Sequence, residues 1–187
     1  MIRVVLDACV LYSASLRDLL LWLAYAELFC PLWSETIHEE WMRNLLSSRS
    51  DLSWERLERT RQKMDREFPH SLVREHESII PLLRLPDPND RHVVAVAIHA
   101  EAKYIVTFNL NDFPKTTLQT YEIEALSPDE FILRLIQHVP RFVLRAVKRH
   151  RLNLSRPAKT PDEYLATLEK QKLPKTVAFL REHKDEI

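Results

Sequence analysis

The chain opens on a short, mainly apolar run, Ile2 to Leu6, closed by Asp7. A run of this length bounded by a charge predicts a buried strand of a parallel sheet. From Leu16 to Leu28 the apolar residues fall at helical spacing, with Leu16, Leu19, Leu20 and Leu23 on one face, and Phe29 to Trp33 reads as a second short strand. Ser34 then stands where an N-cap belongs and Glu35 suits the first turn. Ile37, Trp41 and Leu45 carry the helix to about Arg49, with Glu40 on the flank of the stripe. Trp54, Leu57, Arg61, Met64 and Phe68 predict a longer surface helix ending near Pro69.

Pro86-Asp87-Pro88-Asn89-Asp90 cannot begin inside a helix, because two prolines fix φ and push the preceding residues extended. A helix therefore starts just after it, with Val93, Val94, Ala97, Ile98 and Ala102 as its apolar side. Lys103 to Thr107 follows as a buried strand, leaving through a loop that holds Asn109, Asn111 and Asp112. Ser127-Pro128-Asp129-Glu130 and Thr160-Pro161-Asp162-Glu163 each combine a cap, a proline at the first helical position and acids in the first turn. The tail is thus helical, and residues from about 153 on read as an appendage.

Alternating strands and helices imply an α/β fold with a mostly parallel sheet. The 187 residues suffice for one sizeable core, divided here into a domain over 1–135 and a basic helical C-terminal extension over 136–187. No apolar run approaches the roughly 20 residues that span a bilayer, and no secretory h-region precedes a cleavage site, so the expected location is the cytoplasm and no membrane is involved. Cys9 and Cys30 are expected to stay reduced there. The chain has no glycine, which excludes the P-loop and the dinucleotide fingerprint, since both need backbone without Cβ against a phosphate. Turns must then come from Pro, Asn, Asp and Ser.

Charge is uneven beneath a net of zero: residues 1–126 carry 14 Lys+Arg against 19 Asp+Glu, and 127–187 carry 13 against 8. Between Glu130 and Asp162 there is no acid, only Arg134, Arg141, Arg145, Lys148, Arg149, Arg151, Arg156 and Lys159. Such a stripe can neutralise phosphates or be a solvated helix face that docks on the acidic half of the same chain. Sequence alone leaves both open.

In an open parallel sheet, ligands gather at the carboxyl ends of the strands. Asp7 ends the first strand, Asp112 lies in the loop leaving the later one, and Asp90 opens the helix before it. Glu40, about two turns into its helix, is a fourth candidate. Carboxylates meeting there would repel one another unless a cation sat among them. Oxygen donors without paired His or Cys favour Mg²⁺ or Mn²⁺ over Zn²⁺, and such ions suit phosphodiester hydrolysis. Asp87 reads as a turn residue, and Glu35 and Glu39 as ordinary helix acids.

Val4-Val5-Leu6-Asp7, Trp33-Ser34 leading to Glu39-Glu40-Trp41, Asp87-Pro88-Asn89-Asp90-Arg91-His92 and Ile105-Val106-Thr107-Phe108-Asn109-Leu110-Asn111-Asp112 together resemble the PIN-domain nucleases, particularly the VapC-type toxins of toxin–antitoxin pairs. The resemblance covers roughly residues 2–135. It implies a PIN-like three-layer α/β/α fold and a Mg²⁺- or Mn²⁺-dependent ribonuclease. Asp7, Glu40, Asp90 and Asp112 would be the metal-binding acids, supported by Asn109 and Thr107. It also implies an RNA substrate, a small antitoxin partner and a homodimer. The helices Leu16–Leu28 and Trp54–Phe68 would be candidate antitoxin contacts.

Two departures stand out. Cys9 replaces the Asn or Ser common two residues after the first Asp and predicts looser orientation of Asp7 and reduced activity. Asn89 stands where relatives often carry Asp. Arg91 is expected as a counter-ion to the carboxylates and His92 as a possible phosphate contact, while Arg141, Arg145, Lys148 and Arg149 are the candidate RNA-binding cations. Two other readings remain: a catalytically weakened PIN-fold module that binds RNA or protein, and a metal-dependent phosphatase acting on small esters.

Overall fold

A computed structural model describes residues 1–155 and 157–187. In chain order the first elements are β1 (Arg3–Leu6), α1 (Ala8–Leu11), α2 (Ala14–Tyr25), β2 (Cys30–Leu32), α3 (Glu35–Ser48) and α4 (Trp54–Glu67). Then come α5 (Arg91–His99), β3 (Tyr104–Val106), α6 (Lys115–Gln119), β4 (Glu124–Leu126), α7 (Pro128–His138), α8 (Pro140–Asn153), α9 (Pro161–Glu169) and α10 (Pro174–Glu182). The class is the expected one, α/β around a central parallel sheet with a helical C-terminal extension.

The described residues group into two compact units that interleave along the chain. The first, Ile2–Tyr12 with Cys30–Leu126, contains the sheet. Its order is β2-β1-β3-β4, with every pairing parallel. Val4 faces Pro31 on one side and Tyr104 on the other, and Tyr104 faces Glu124. Parallel alignment puts all four carboxyl ends on one edge, so Asp7 and Thr107 leave the sheet side by side, and Asp7 N–H donates to the Val106 carbonyl at 3.1 Å. α5 packs on β1 and β3, with Val93, Val94, Ala95, Val96 and Ala97 all buried. This fixes the height at which Asp90, immediately before α5, meets the sheet edge.

β4 is a strand that periodicity does not announce. Glu124-Ala125-Leu126 lacks the β-branched and aromatic residues that favour strands. It is extended because β3 supplies its ladder, with Glu124 N–H donating to the Lys103 carbonyl at 3.1 Å.

The second unit comprises Met1, Ser13–Phe29 and Ser127–Ile187. α2 packs on α8 and α9, and α10 on α7 and α9. Leu16, Leu19, Leu20 and Leu23 of α2 are completely buried, whereas Tyr25 at its end is exposed. Nor is the tail beyond residue 153 a loose appendage: Tyr164, Leu165, Leu168, Val177 and Leu180 are core residues of the unit. Asp129, buried in α7, accepts from the backbone N–H groups of Lys175 at 3.0 Å and Thr176 at 2.8 Å. It thereby caps α10, whose own N-cap residue, Leu173, has no side-chain acceptor to offer. The predicted capping boxes at Ser127/Glu130 and Thr160/Glu163 are both formed.

The absence of glycine is resolved differently from expectation. Among the described residues the left-handed positions are held by Glu27, Glu75, Glu101, Glu122 and Lys172, not by Asn or Asp. Three of the glutamates close helices. Leu28 N–H donates to the Leu23 carbonyl at 3.2 Å and Glu27 N–H to Ala24 at 2.9 Å, which is a Schellman ending. The same pair of bonds recurs at Glu101 after α5 and at Glu122 after α6.

Candidate functional site

Asp7 is the most firmly held of the expected acids and is only 3% exposed. Its Oδ1 accepts from Ala8 N–H at 2.7 Å and so caps the single turn of α1. Its Oδ2 accepts from the Thr107 hydroxyl at 2.6 Å and the Cys9 thiol at 3.1 Å. A carboxylate has about four lone-pair sites, so these three bonds leave one, on Oδ1. Thr107 in turn accepts from Asn109 N–H at 3.0 Å, which orients its hydroxyl proton toward Asp7.

Cys9 does more than the weak donor expected of it. Burial and the neighbouring Asp7 charge push its thiol up to about 12, so it keeps its proton and donates at neutral pH. Its sulfur also accepts from Phe108 N–H at 3.3 Å. Cys9 therefore ties the loop after β3 to Asp7, and the short Thr107 bond offsets whatever orientation the longer sulfur contact gives up.

Asp90 is half-buried. Burial, with Asp7, Asp87 and Asp112 adding repulsion, raises its carboxyl to about 6, while His92 pulls the other way. These three aspartates are thus neighbours of Asp90 in the electrostatic sense, and Asp87 acts on the site as well as holding its turn, where it accepts from Asn89 N–H at 2.8 Å. Asp112 ends a 3-10 turn, Leu110–Asp112, in the loop after β3. Asn109 is exposed and acts through its backbone, donating its N–H to Thr107.

Glu40 is not among the groups that raise Asp90. Its Oε1 lies 2.9 Å from His92 Nε2, a pairing 52 residues apart in sequence that no local pattern reveals. His92 is buried, with its Nε2 turned to Glu40, so the phosphate contact expected of it is not the arrangement found. Arg91, expected as the counter-ion, instead donates from Nε to the Pro88 carbonyl at 2.8 Å and closes the turn that carries Asp90. Beneath α3, Trp41 Nε1–H donates to His38 Nδ1 at 3.0 Å. The proton of His38 is therefore on Nε2, facing Asp65 at 3.2 Å, and Trp33 Nε1–H donates to the same oxygen at 2.8 Å. Burial lowers His38 to about 4, so this network is neutral at the ring and fixes the helix that carries Glu40.

Among the described residues, no three His, Cys, Asp or Glu side chains stand close enough to ligate one ion together. Mg²⁺ does not require such a cage: it commonly keeps several waters and takes one or two carboxylates. A raised Asp90 with other aspartates around it, and a lone pair to spare on Asp7, is a donor set that fits a hard divalent cation.

In the second unit, Arg141, Arg145, Lys148 and Arg149 are all exposed on α8, and none has a carboxylate partner among the described residues. Arg156 lies outside the described residues. No described helix is long and apolar enough to cross a membrane.

Comparison with known proteins gives two family matches: a PIN domain over residues 3–111 and a VapC50 C-terminal domain over residues 128–182. Among curated proteins, the one named "Putative ribonuclease VapC50" from Mycobacterium tuberculosis is 52% identical over 44 residues, which is 24% of this chain and 26% of that protein. The match thus spans about a quarter of that relative's length. No solved structure matches.

Proposed function

Because the chain belongs to the PIN-domain family, with a VapC-type C-terminal region, we propose that it is a divalent-metal-dependent ribonuclease acting in the cytoplasm, the toxin of a toxin–antitoxin pair. The observation that carries this reading is Asp90, half-buried and raised to about 6 by burial first and by the repulsion of Asp7, Asp87 and Asp112 after it. Uncompensated charge of this kind marks functional sites more often than structural ones.

Of Asp7, Asp90 and Asp112, one or two would meet the ion directly and the rest, with Glu40 from α3, through the waters that such an ion keeps. Bound Mg²⁺ or Mn²⁺ supplies charge to the scissile phosphate and acidifies an attacking water. The chain's own part is positioning. Thr107 and Cys9 pin Asp7 Oδ2, Ala8 N–H fixes Oδ1, and His92 holds Glu40 at 2.9 Å. Second-layer bonds of this type set the orientation of a ligating carboxylate. Asp90 must be ionised to take part. A small antitoxin that covers the acidic edge, and a homodimer, belong to the same proposal and rest on the family resemblance.

The test is cleavage of a labelled single-stranded RNA by the purified chain with Mn²⁺. Wild type is expected to cut, to stop on chelation, and to lose activity at least a hundredfold in Asp7→Asn and Asp90→Asn with folding intact, since each removes a carboxylate that meets the metal. Salt-sensitive RNA binding without cleavage would select the weakened binding module instead. Turnover of a small phosphate ester without RNA cleavage would select the phosphatase.

A further inference from the structure

We infer that the outer face of α8 is a binding surface for single-stranded RNA, in which Arg141, Arg145, Lys148 and Arg149 follow the phosphates and Phe142 stacks a base. The choice of RNA as the polyanion rests on the ribonuclease reading above.

α8 is amphipathic, and every charged residue on its polar face is cationic. Val143, Leu144, Ala146, Val147 and His150 are buried within the second unit, and the apolar side chains that α8 exposes are Phe142 and Leu152, two isolated residues and not the continuous apolar face with which an interfacial helix enters a lipid surface. The opposite face presents Arg141, Arg145, Lys148 and Arg149. At 1.5 Å rise per residue, successive cations four apart lie roughly 6 Å apart along the axis, a repeat that a flexible polyanion can track. No acid interrupts residues 131–161, and these four cations have no carboxylate partner among the described residues. Their charge is uncompensated and complementary to a phosphate chain.

Phe142 distinguishes RNA from a merely acidic protein. It is 56% exposed at the border of this cationic face, with the Arg145 guanidinium carbon over its ring at 5.9 Å from the centroid. An exposed ring beside a planar cation is the pairing that holds unstacked bases along a positively charged surface. Duplex RNA hides its bases and could use only the cations.

The experiment is fluorescence anisotropy of a labelled oligouridine with the full chain in chelator, so that binding is read without cleavage. Replacing all four cations with alanine is expected to weaken binding at least tenfold. It should also reduce the slope of log affinity against log salt by roughly 3, at about 0.7 per phosphate neutralised on a single strand. Phe142→Ala should weaken binding roughly fivefold or more with the slope unchanged, and Phe142→Tyr should restore it. These side chains are solvent-exposed, and melting curves would check that each variant is folded.

Wild-type affinity and slope in the four-cation variant would overturn the surface while leaving the ribonuclease reading intact if wild type still cleaves RNA. Loss of polyglutamate binding with RNA binding unchanged would make the face a protein-docking site and overturn the inference. An unaffected Phe142→Ala variant would overturn the stacking role. Binding that depends on α8 in a protein that never cleaves would uphold the surface and sink the ribonuclease reading.

Discussion

At neutral pH the Asp90 carboxyl is ionised against the pull of its surroundings, which raise it to about 6. The folded protein therefore binds this proton more tightly than the unfolded chain does. Its contribution to stability falls as pH rises from the ordinary carboxylate range through about 6 and is level above it. His38 and His150 act in the opposite sense: burial lowers both to about 4, so they withdraw stability as pH falls from about 6.5 toward 4. Asp90→Asn isolates the first effect. In chelator it should raise the melting temperature at pH 7 and leave it almost unchanged at pH 4, measured by thermal melts, although the same substitution abolishes cleavage. A lower melting temperature at pH 7 would mean that Asp90 is stabilised by its neighbours rather than strained by them.

Thr107 makes a second prediction at this scale. Thr107→Val keeps the shape but removes the 2.6 Å bond to Asp7 and the acceptor of Asn109 N–H. Cleavage should fall roughly 10- to 100-fold, and urea titration should show a loss of about 1–3 kcal/mol from the unpaired buried group. Thr107→Ser should recover most of both. Of these residues, Asp7, Asp90 and Asp112 were legible in the sequence because each sits at a strand exit or a helix start, where position along the chain fixes position in space. The pairing of Glu40 with His92 was not, since it depends on how α3 and α5 meet.

The elements repeat the lesson with different physics. Helix starts were readable at Ser34, Ser127 and Thr160, because a cap is a local bond between residues three apart. Helix ends were not, because their usual glycine signal is missing and glutamate stands in its place. β4 was hidden for a third reason, its extended form being imposed by β3. The glutamate endings carry a cost, since a side chain in the left-handed region is disfavoured by about 1–2 kcal/mol. Part of that returns as the greater freedom glycine has in the unfolded chain. Glu27→Gly and Glu122→Gly should each stabilise by about 0.5–1 kcal/mol, read in thermal melts as a rise of roughly 1–4 °C for a chain of this size. The two sites lie in different units, so their effects should add. A drop in melting temperature from either would show that the glutamate side chain makes a contact worth more than the backbone strain.

For the whole molecule, the sequence pattern located the sheet and its acidic edge, and the charge imbalance marked the C-terminal half as the cationic part. It did not disclose that Ser13–Phe29 groups with that half, because the leucine stripe of α2 states only that a face is buried and not what covers it. Binding of a hard divalent ion at this edge must displace the proton that burial and the neighbouring carboxylates favour on Asp90. Calorimetric titration of Mn²⁺ into the full chain, repeated in buffers of different ionisation heat, measures that displacement. With Asp90 near 6, about half of the sites carry the proton at pH 6 and almost none at pH 8. The predicted result is release of about half a proton per ion at pH 6, none at pH 8, and weaker binding without release in Asp90→Asn. Binding that releases no proton at either pH, or that is undiminished in Asp90→Asn, would contradict it.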